Sequence, residues 1–269
     1  MIDNLLQKKL RERFNPDDSP LRKHQLKMLE MLVYIDSICK ENGIKYWLSS
    51  GTCLGAVRHG GFIPWDDDVD IEMMRDDYLK FLHVFKESSD YVLQTYKNDR
   101  FYSTQFAKMR DKNSCVYDSL YMYKGVFVDI FCLEYTNKSI TIFLDALHKP
   151  LNYLYKIIKI RSLKDSRNNL YLSVLFDVYK FFYFKSLHLF RGINSILPNK
   201  MLRHTLGTGW VDNVRFEQQI FPLTSIKFEG IDFPIPGDFS AYLKNIYGDY
   251  MKIPELDKID PPHVQYFNS

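Results

Sequence analysis

The stretch from Trp47 to Glu72, WLSSGTCLGAVRHGGFIPWDDDVDIE, places four carboxylates, Asp66, Asp67, Asp68 and Asp70, within five residues, downstream of a small-residue turn, Ser49-Ser50-Gly51-Thr52. Carboxylates this dense repel one another unless cations sit among them. In a strand Val69 to Met73, side chains alternate, so Asp68 and Asp70 share one face while Val69 and Ile71 share the other. Two parallel carboxylates suit Mg2+ or Mn2+, hard ions that take oxygen ligands and keep positions open for substrate phosphates. Upstream, a strand Ile44 to Leu48 runs into the Gly-Thr turn, where Gly51 allows close approach of the backbone to a ligand, or a positive φ. A short helix from Leu54 to His59 then aims its N-terminal amides and dipole at the same point. Gly51, Thr52 and Arg58 are accordingly candidate phosphate-binding residues. A solvated Asx-rich turn could carry the same Asp-x-Asp with no chemistry. The Gly-Thr turn, Arg58, the apolar entry Phe62-Ile63 and the strand-like exit in one window favour a metal-phosphate site instead.

Two further segments carry candidate groups. Asp129 interrupts the apolar run Val126-Phe127-Val128-Asp129-Ile130-Phe131 of a strand Gly125 to Phe131. A carboxylate there is costly unless it is hydrogen-bonded, paired or metal-bound. On a strand Thr104 to Arg110, Lys108 and Arg110 alternate about Met109. They are either exposed strand charges or cations set against nucleotide phosphates, Arg as a bidentate fork and Lys as a point charge.

The segments SGT, LGAVRHGGFIPWDDDVDI, Gly125 to Phe131, and YLKNIYGDYM with the later PPH resemble the LicD family of bacterial phosphocholine transferases, relatives of the fukutin-type ribitol-phosphate transferases. The long PWDDDVDI string is the specific part. The resemblance implies an α+β, nucleotidyltransferase-like mixed sheet flanked by helices, with a helical insertion. It makes Asp68 and Asp70 the metal-binding pair, Asp129 the third acid on a neighbouring strand, and Lys108 a phosphate contact. It further implies Mg2+ (or Mn2+), CDP-choline or a related CDP-alcohol as donor, and a sugar hydroxyl of a teichoic acid or other surface glycan precursor, lipid-linked or not, as acceptor, with CMP released. Asp129 then completes the metal shell or takes the acceptor proton. Choline itself is not visible in composition or spacing. The 16% aromatic content, including Trp65, Tyr121 and Tyr123, would permit a quaternary-ammonium cage.

At 269 residues and 46% hydrophobic, the chain can bury a sizeable core as one large domain or as a core with an insertion. A net charge of +3, with no basic cluster like a DNA-reading helix, gives no reason to expect a nucleic-acid partner. The opening MIDNLLQKKLRERF lacks the features of a signal peptide, and no run reaches the roughly 18 apolar residues of a membrane span, so a cytoplasmic enzyme is expected. Cys39, Cys53, Cys115 and Cys132 form no CxxC pair; they read as reduced, mostly buried residues and indicate neither zinc nor disulfides.

The positioning elements follow from periodicity. Leu21 to Glu41, with Leu26, Leu29, Val33 and Ile35 as its stripe and Gly43 as its stop, predicts a helix on the core, and Arg75 to Ser88, with Tyr78, Phe81, Leu82 and Phe85, predicts another. Tyr91 to Thr95 reads as a strand, Ile226 to Pro236 as a hairpin and Phe239 to Tyr247 as a helix capped by Asp238. His263, in the closing Pro-Pro-His, reads as structural. Residues 138 to 204 stand apart: 12 Lys plus Arg against 3 Asp, a net of +9, leave −6 for the rest of the chain. Two or three basic amphipathic helices are expected there, either touching a membrane surface peripherally or presenting a solvated basic face. The division expected is a catalytic core over 1–137, a basic helical insertion over 138–208, and a segment over 209–269 completing the core.

Two other classes compete. A glycosyltransferase of the GT-A type also holds a sugar nucleotide by Asp-x-Asp and metal, but would lack the upstream Gly-Thr turn and need no third strand Asp. A non-catalytic lipid or partner binder explains the basic middle and not the carboxylates.

Overall fold

A computed structural model of the chain describes residues 2–116, 121–164, 170–198, 201–207 and 214–259; His263 and its Pro-Pro lie outside these. Helices α1 (Asn4–Phe14) and α2 (Pro20–Asn42) lead into β1 (Trp47–Leu48), α3 (Ser50–His59), β2 (Asp70–Met74) and α4 (Arg75–Val84). After β3 (Tyr91–Gln94), β4 (Ala107–Asp111) and the long β5 (Phe127–Thr136) come the insertion helices α5 (Lys138–Lys164) and α6 (Leu170–Asn194). The chain ends with β6 (Met201–His204), the single-turn α7 (Glu217–Ile220), the hairpin β7 (Thr224–Phe228) and β8 (Ile231–Ile235), and α8 (Phe239–Tyr247). With about 49% helix and 18% strand, this is an α+β fold around a mixed sheet.

The sheet runs in the order β1-β2-β5-β4-β3, with β6 also on β5. Only β2 and β5 are parallel, in the register Asp70↔Asp129 and Ile71↔Ile130; β4 meets β5 antiparallel, with Lys108 opposite Asp129. Residues opposite each other across a ladder share a face, so Asp70, Asp129 and Lys108 form one row over three adjacent strands. Ile71, Met73, Met109, Val128 and Ile130 belong to the other face and are fully buried in the main core with α2 and α4.

Helix α2 begins one residue before the expected Leu21: the Ser19 side chain accepts from Arg22 N, with Pro20 in the first turn and Gly43 in the left-handed conformation (φ 59°) after its end. Its buried stripe is offset from the one read in sequence. Met28, Met31, Leu32, Ile35 and Cys39 face the core, while Leu26 and Val33 are exposed. The adjacent positions His24 and Gln25 are buried because they bind backbone carbonyls of the acidic loop, and that rotates the helix. Helix α4 keeps its expected stripe, Tyr78 and Phe81 being buried and Leu82 and Phe85 packed at the edge of the core.

The Gly-Thr segment is not a loop before a helix. It is the first turn of α3, which starts at Ser50 rather than Leu54. The positive φ falls on Ser50 (46°), not on Gly51. The small side of α3 matters for the approach to the acidic run. A Cβ at Gly55 would lie 2.5 Å from the Gly61 carbonyl oxygen and 3.2 Å from Ile63 N, both backbone atoms. Gly55→Ala is therefore expected to lower stability by about 1–2 kcal/mol: overpacking of about 1–3 kcal/mol outweighs a helix-propensity gain of up to about 1. Chemical denaturation checks it, through a lowered midpoint at unchanged slope; an unchanged midpoint would mean that the 61–63 loop moves freely off the helix.

Helices α5 and α6 are two of the two or three expected in the insertion, with a small core of their own around Leu144, Tyr179, Tyr183 and Leu187. The chain rejoins the main sheet at Met201–His204, where β6 pairs with the last residues of β5, so the tail of the 138–208 stretch is sheet rather than helix. The hairpin and the Asp238-capped α8 form as read. Cys39, Cys53 and Cys132 are buried free thiols, and Cys115 is exposed. Among the described residues, no helix is long and apolar enough to cross a membrane.

Candidate active site

The acidic loop 65–69 is held by α2. The His24 ring donates to the Asp67 carbonyl (3.0 Å), and the Gln25 amide donates to the Asp66 carbonyl (2.9 Å). Neither residue stands out in sequence, because His and Gln on a helix carry no signal of what they bind. The same loop is closed from the far end of the chain, where Glu229 accepts from Phe62 N (3.1 Å) and pairs with Arg22 (2.6 Å).

Helix α3 meets the loop at its N-terminal end. The Thr52 hydroxyl accepts from Asp70 N (2.8 Å), tying the helix to the start of β2. A Cβ at Gly51 would come within 3.0 Å of Asp66 Oδ2. The close approach assigned to Gly51 thus occurs, and a loop carboxylate is the group it meets. Burial, and then Asp68 and Asp67, push the Asp66 carboxyl well above the usual carboxylate range. Burial, then Asp68, Asp129 and Asp66, do the same to Asp70, against the smaller pull of Lys108. Tyr247 of α8 adjoins the group: burial, followed by Asp70 and Asp66, raises its phenol. Asp66 and Asp70 are thus raised by neighbouring carboxylates as well as by burial, whereas Asp129 is opposed by Lys108 and Arg110.

The single cation in the row is Lys108, whose Nζ lies 2.5 Å from Asp129 Oδ1 and 3.6 Å from the Phe127 ring centre. Burial lowers its pKa, and Asp129 opposes that; for Asp129, burial raises the pKa, and Lys108 opposes. Among the described residues, no three His, Cys, Asp or Glu groups are arranged to hold a metal ion together. The donors present are all carboxylate oxygens, the chemistry that Mg2+ and Mn2+ take, and Mg2+ is typically held by one or two carboxylates plus substrate phosphates. Asp68 and Asp70 fit that pattern, and the mutual repulsion recorded at Asp66 and Asp70 is what a divalent ion would relieve.

The other cations singled out in sequence are placed differently. Arg58 is buried; its Nη1 donates to the carbonyls of Tyr250 (2.9 Å) and Lys252 (3.3 Å), and its Nε donates to His59 (2.9 Å). Burial, then Arg58, push the His59 ring down to about 3, so it accepts as a neutral imidazole. Arg110 is buried on β4 and donates to Gln94 (2.8 Å) and the Gly125 carbonyl (2.9 Å). Both guanidiniums thus engage protein oxygens, one fastening the segment after α8 and the other the strand entry beside Asp129. Of the rings considered for a cage, Trp65 packs edge-on against Phe14 and His59, and Tyr121 against Tyr102.

One network carried no assignment in sequence. Glu72, two residues beyond Asp70 on the same face of β2, is fully buried and accepts from Trp47 Nε1 (2.8 Å), His204 Nε2 (2.7 Å), Arg215 Nε (3.2 Å) and the Tyr242 hydroxyl (3.1 Å). The period-two alternation that pairs Asp68 with Asp70 continues to Glu72 and was its available signal. Nothing local points to partners 132 and 143 residues away. Burial alone would raise the Glu72 pKa, but Arg215 and His204 override it and hold the carboxyl far below its ordinary range. The Tyr242 hydroxyl also shares a 3.0 Å hydrogen bond with Ser49, joining α8 to the entry of α3.

Comparison with known families matches residues 43–159 to the model described as LicD/FKTN/FKRP, nucleotidyltransferase domain. That range contains α3, the acidic loop, β2, β4 and β5. Residues 43–159 form a domain of the LicD family. The chain is 28% identical over 256 residues to the lipopolysaccharide cholinephosphotransferase LicD of Haemophilus influenzae, covering 91% of this chain and 96% of that protein. An uncharacterised Rickettsia typhi protein is 42% identical over 65 residues, 24% of this chain and 21% of its own. Human ribitol 5-phosphate transferase FKRP is 46% identical over 44 residues, 16% of this chain and 9% of that protein. The chain thus carries a LicD-family nucleotidyltransferase domain and is an enzyme, a transferase.

Proposed function

We propose that this LicD-family protein transfers phosphocholine from CDP-choline to a hydroxyl of a surface glycan precursor, a teichoic acid or lipopolysaccharide unit, and releases CMP. The observation that carries this reading is the row Asp70, Asp129 and Lys108 over three strands beside the N-terminus of α3. It supplies acids for a metal and a proton, a cation for phosphate, and helix amides for an anion at one point. The names of the full-length relative, a cholinephosphotransferase, and of the ribitol 5-phosphate transferases support an alcohol phosphate as the group moved.

Asp68 and Asp70 would hold Mg2+ or Mn2+. Such an ion supplies neutralisation of charge on a pyrophosphate during in-line displacement. The α3 amides at Gly51 and Thr52 receive phosphate oxygens, the role helix N-termini play for anions. Lys108 exchanges its Asp129 contact for the phosphoryl group. Asp129, freed of Lys108, takes the proton of the acceptor hydroxyl, and its upward-shifted pKa suits a general base. The acceptor O–P bond forms, the P–O bond to CMP breaks, and CMP departs with the electron pair. The acceptor is a lipid-linked precursor met at the cytoplasmic face of the membrane.

Incubation with Mg2+, CDP-choline and a phosphocholine-free acceptor glycan is expected to release CMP in step with label transfer to the glycan. A glycosyltransferase is the second reading, since it shares the Asp-x-Asp signature. Release of UDP from a UDP-sugar, with CDP-choline inert, would overturn the first in favour of the second.

A further inference from the structure

The α5–α6 hairpin carries two apolar faces, and packing needs only one. The inner face is satisfied by the helices themselves, through Leu144 against Tyr179, Tyr183 and Leu187, all at most 2% exposed. On the outer face of α6, Val174, Val178, Phe182, Leu189 and Ile193 recur at helical spacing, each at least 37% exposed, and exposed Lys185 fills the gap in the stripe. Phe143 of α5 adds to this face at 56% exposure. Of the 23 large apolar side chains exposed among the described residues, 12 lie between 142 and 196. That concentration, in under a quarter of the chain, is not the scatter of single apolar residues usual on protein surfaces.

Charge decides what covers it. Residues 138 to 204 carry 12 Lys and Arg against 3 Asp. Within that balance, Lys180 and Arg191 turn inward to the Tyr96 carbonyl and Glu134, while Lys138, Lys156 and Lys185 are exposed on the helix pair. Two copies of this face brought together would set like charge against like, whereas an anionic lipid surface meets it with opposite charge. Among the described residues neither helix is long and apolar enough to cross a bilayer, and an exposed apolar stripe with Lys185 in its line is the build of a helix lying in the interface plane. We propose that the outer face of α5–α6 is a docking surface for an anionic bilayer, with the Val174–Ile193 stripe in the headgroup boundary and the exposed Lys138, Lys156 and Lys185 supplying the cations for lipid phosphates. This deepens the reading of a lipid-linked acceptor, and vesicle binding is measured without substrate, so either can fail alone.

The test is flotation of the full chain with vesicles of phosphatidylcholine alone and of phosphatidylcholine with phosphatidylglycerol, at low and high salt. Wild type should float with the anionic vesicles, lose most of that binding in 1 M salt, where the screening length falls to about 3 Å, and leave the neutral vesicles largely unbound. The double variant Phe182→Ser, Leu189→Ser, both exposed, should bind the anionic vesicles about tenfold or more weakly. Its circular dichroism and its CMP release with a water-soluble acceptor should match wild type. Absence of flotation on anionic vesicles at low salt, or equal binding by the variant, overturns the proposal. So does a wild-type dimer in solution that the double variant converts to monomer, since a second copy would then cover the face.

Discussion

Asp70→Asn is expected to lower turnover at least about 100-fold while the protein stays folded, the usual consequence of removing one preorganised electrostatic group from a phosphoryl-transfer site. Stability should move the other way or not at all. Asp70 is half-buried, and desolvation, then Asp68, Asp129 and Asp66, raise its pKa. A carboxyl whose pKa is higher in the folded than in the unfolded state binds protons preferentially when folded. Its effect on stability is therefore favourable below the raised value and is lost as pH climbs from the unfolded value, near 3.9, through the folded one. At neutral pH the wild type carries that repulsion and the Asn variant does not, so the variant should melt at the same temperature or higher. Mg2+ should raise the melting temperature of the wild type, increasingly toward alkaline pH, and leave the variant unmoved. Near-normal turnover in a folded Asp70→Asn protein would sink the role assigned to the row.

Glu72→Ala is expected to cost about 3–5 kcal/mol, because it leaves Arg215 buried with its charge uncompensated and removes the acceptor for Trp47, His204 and Tyr242. For a chain this size that corresponds to a fall in melting temperature of roughly 10 °C. The pH dependence has the opposite sign to that of Asp70. The folded pKa of Glu72 lies below its ordinary value, so its contribution is fully present above about 4.3 and is lost as pH falls through the folded value. The wild type should thus lose stability in acid more steeply than the Ala variant, and the gap between their melting curves should narrow as pH drops. Thermal melts of both proteins from neutral pH to about 3 read this directly. Coincident curves would show that the network is surplus to the fold. Because Tyr242 bridges Glu72 and Ser49, activity of the variant, measured where it is folded, should also fall.

The candidate site was readable in the chain because its decisive groups are close in sequence or have a costly position. Asp68 and Asp70 stand out as a dense acidic pair, although β2 starts at Asp70 and leaves Asp68 in the preceding loop, and Asp129 is conspicuous as a charge within an apolar run. The register that sets Asp129 between Asp70 and Lys108 is a different matter. A parallel pairing between residues 70 and 129 has no local cause; it comes from the crossover through α4, β3 and β4 that returns β5 beside β2. Arg58 and Arg110 show the limit from the other side. Residue type and spacing suited both to phosphate, and tertiary packing turned both toward backbone carbonyls of Tyr250 and Gly125.

Periodicity and caps determined on their own that α2, α4, α8 and the β7–β8 hairpin exist, since each depends on hydrogen bonds and side-chain alternation within a few residues, and the basic, apolar-rich composition of 138–204 pointed to two or three insertion helices, of which the structure has two. The tertiary structure alone decided which face of α2 is buried, that the Gly-Thr segment is the first turn of α3, and that Met201–His204 is a sheet strand. It also decided that His24, Gln25, Glu72, His204 and Arg215 matter. Each of these outcomes rests on a buried polar group finding its partner far along the chain. The cost of leaving such a group unpaired exceeds the local preferences that a sequence displays.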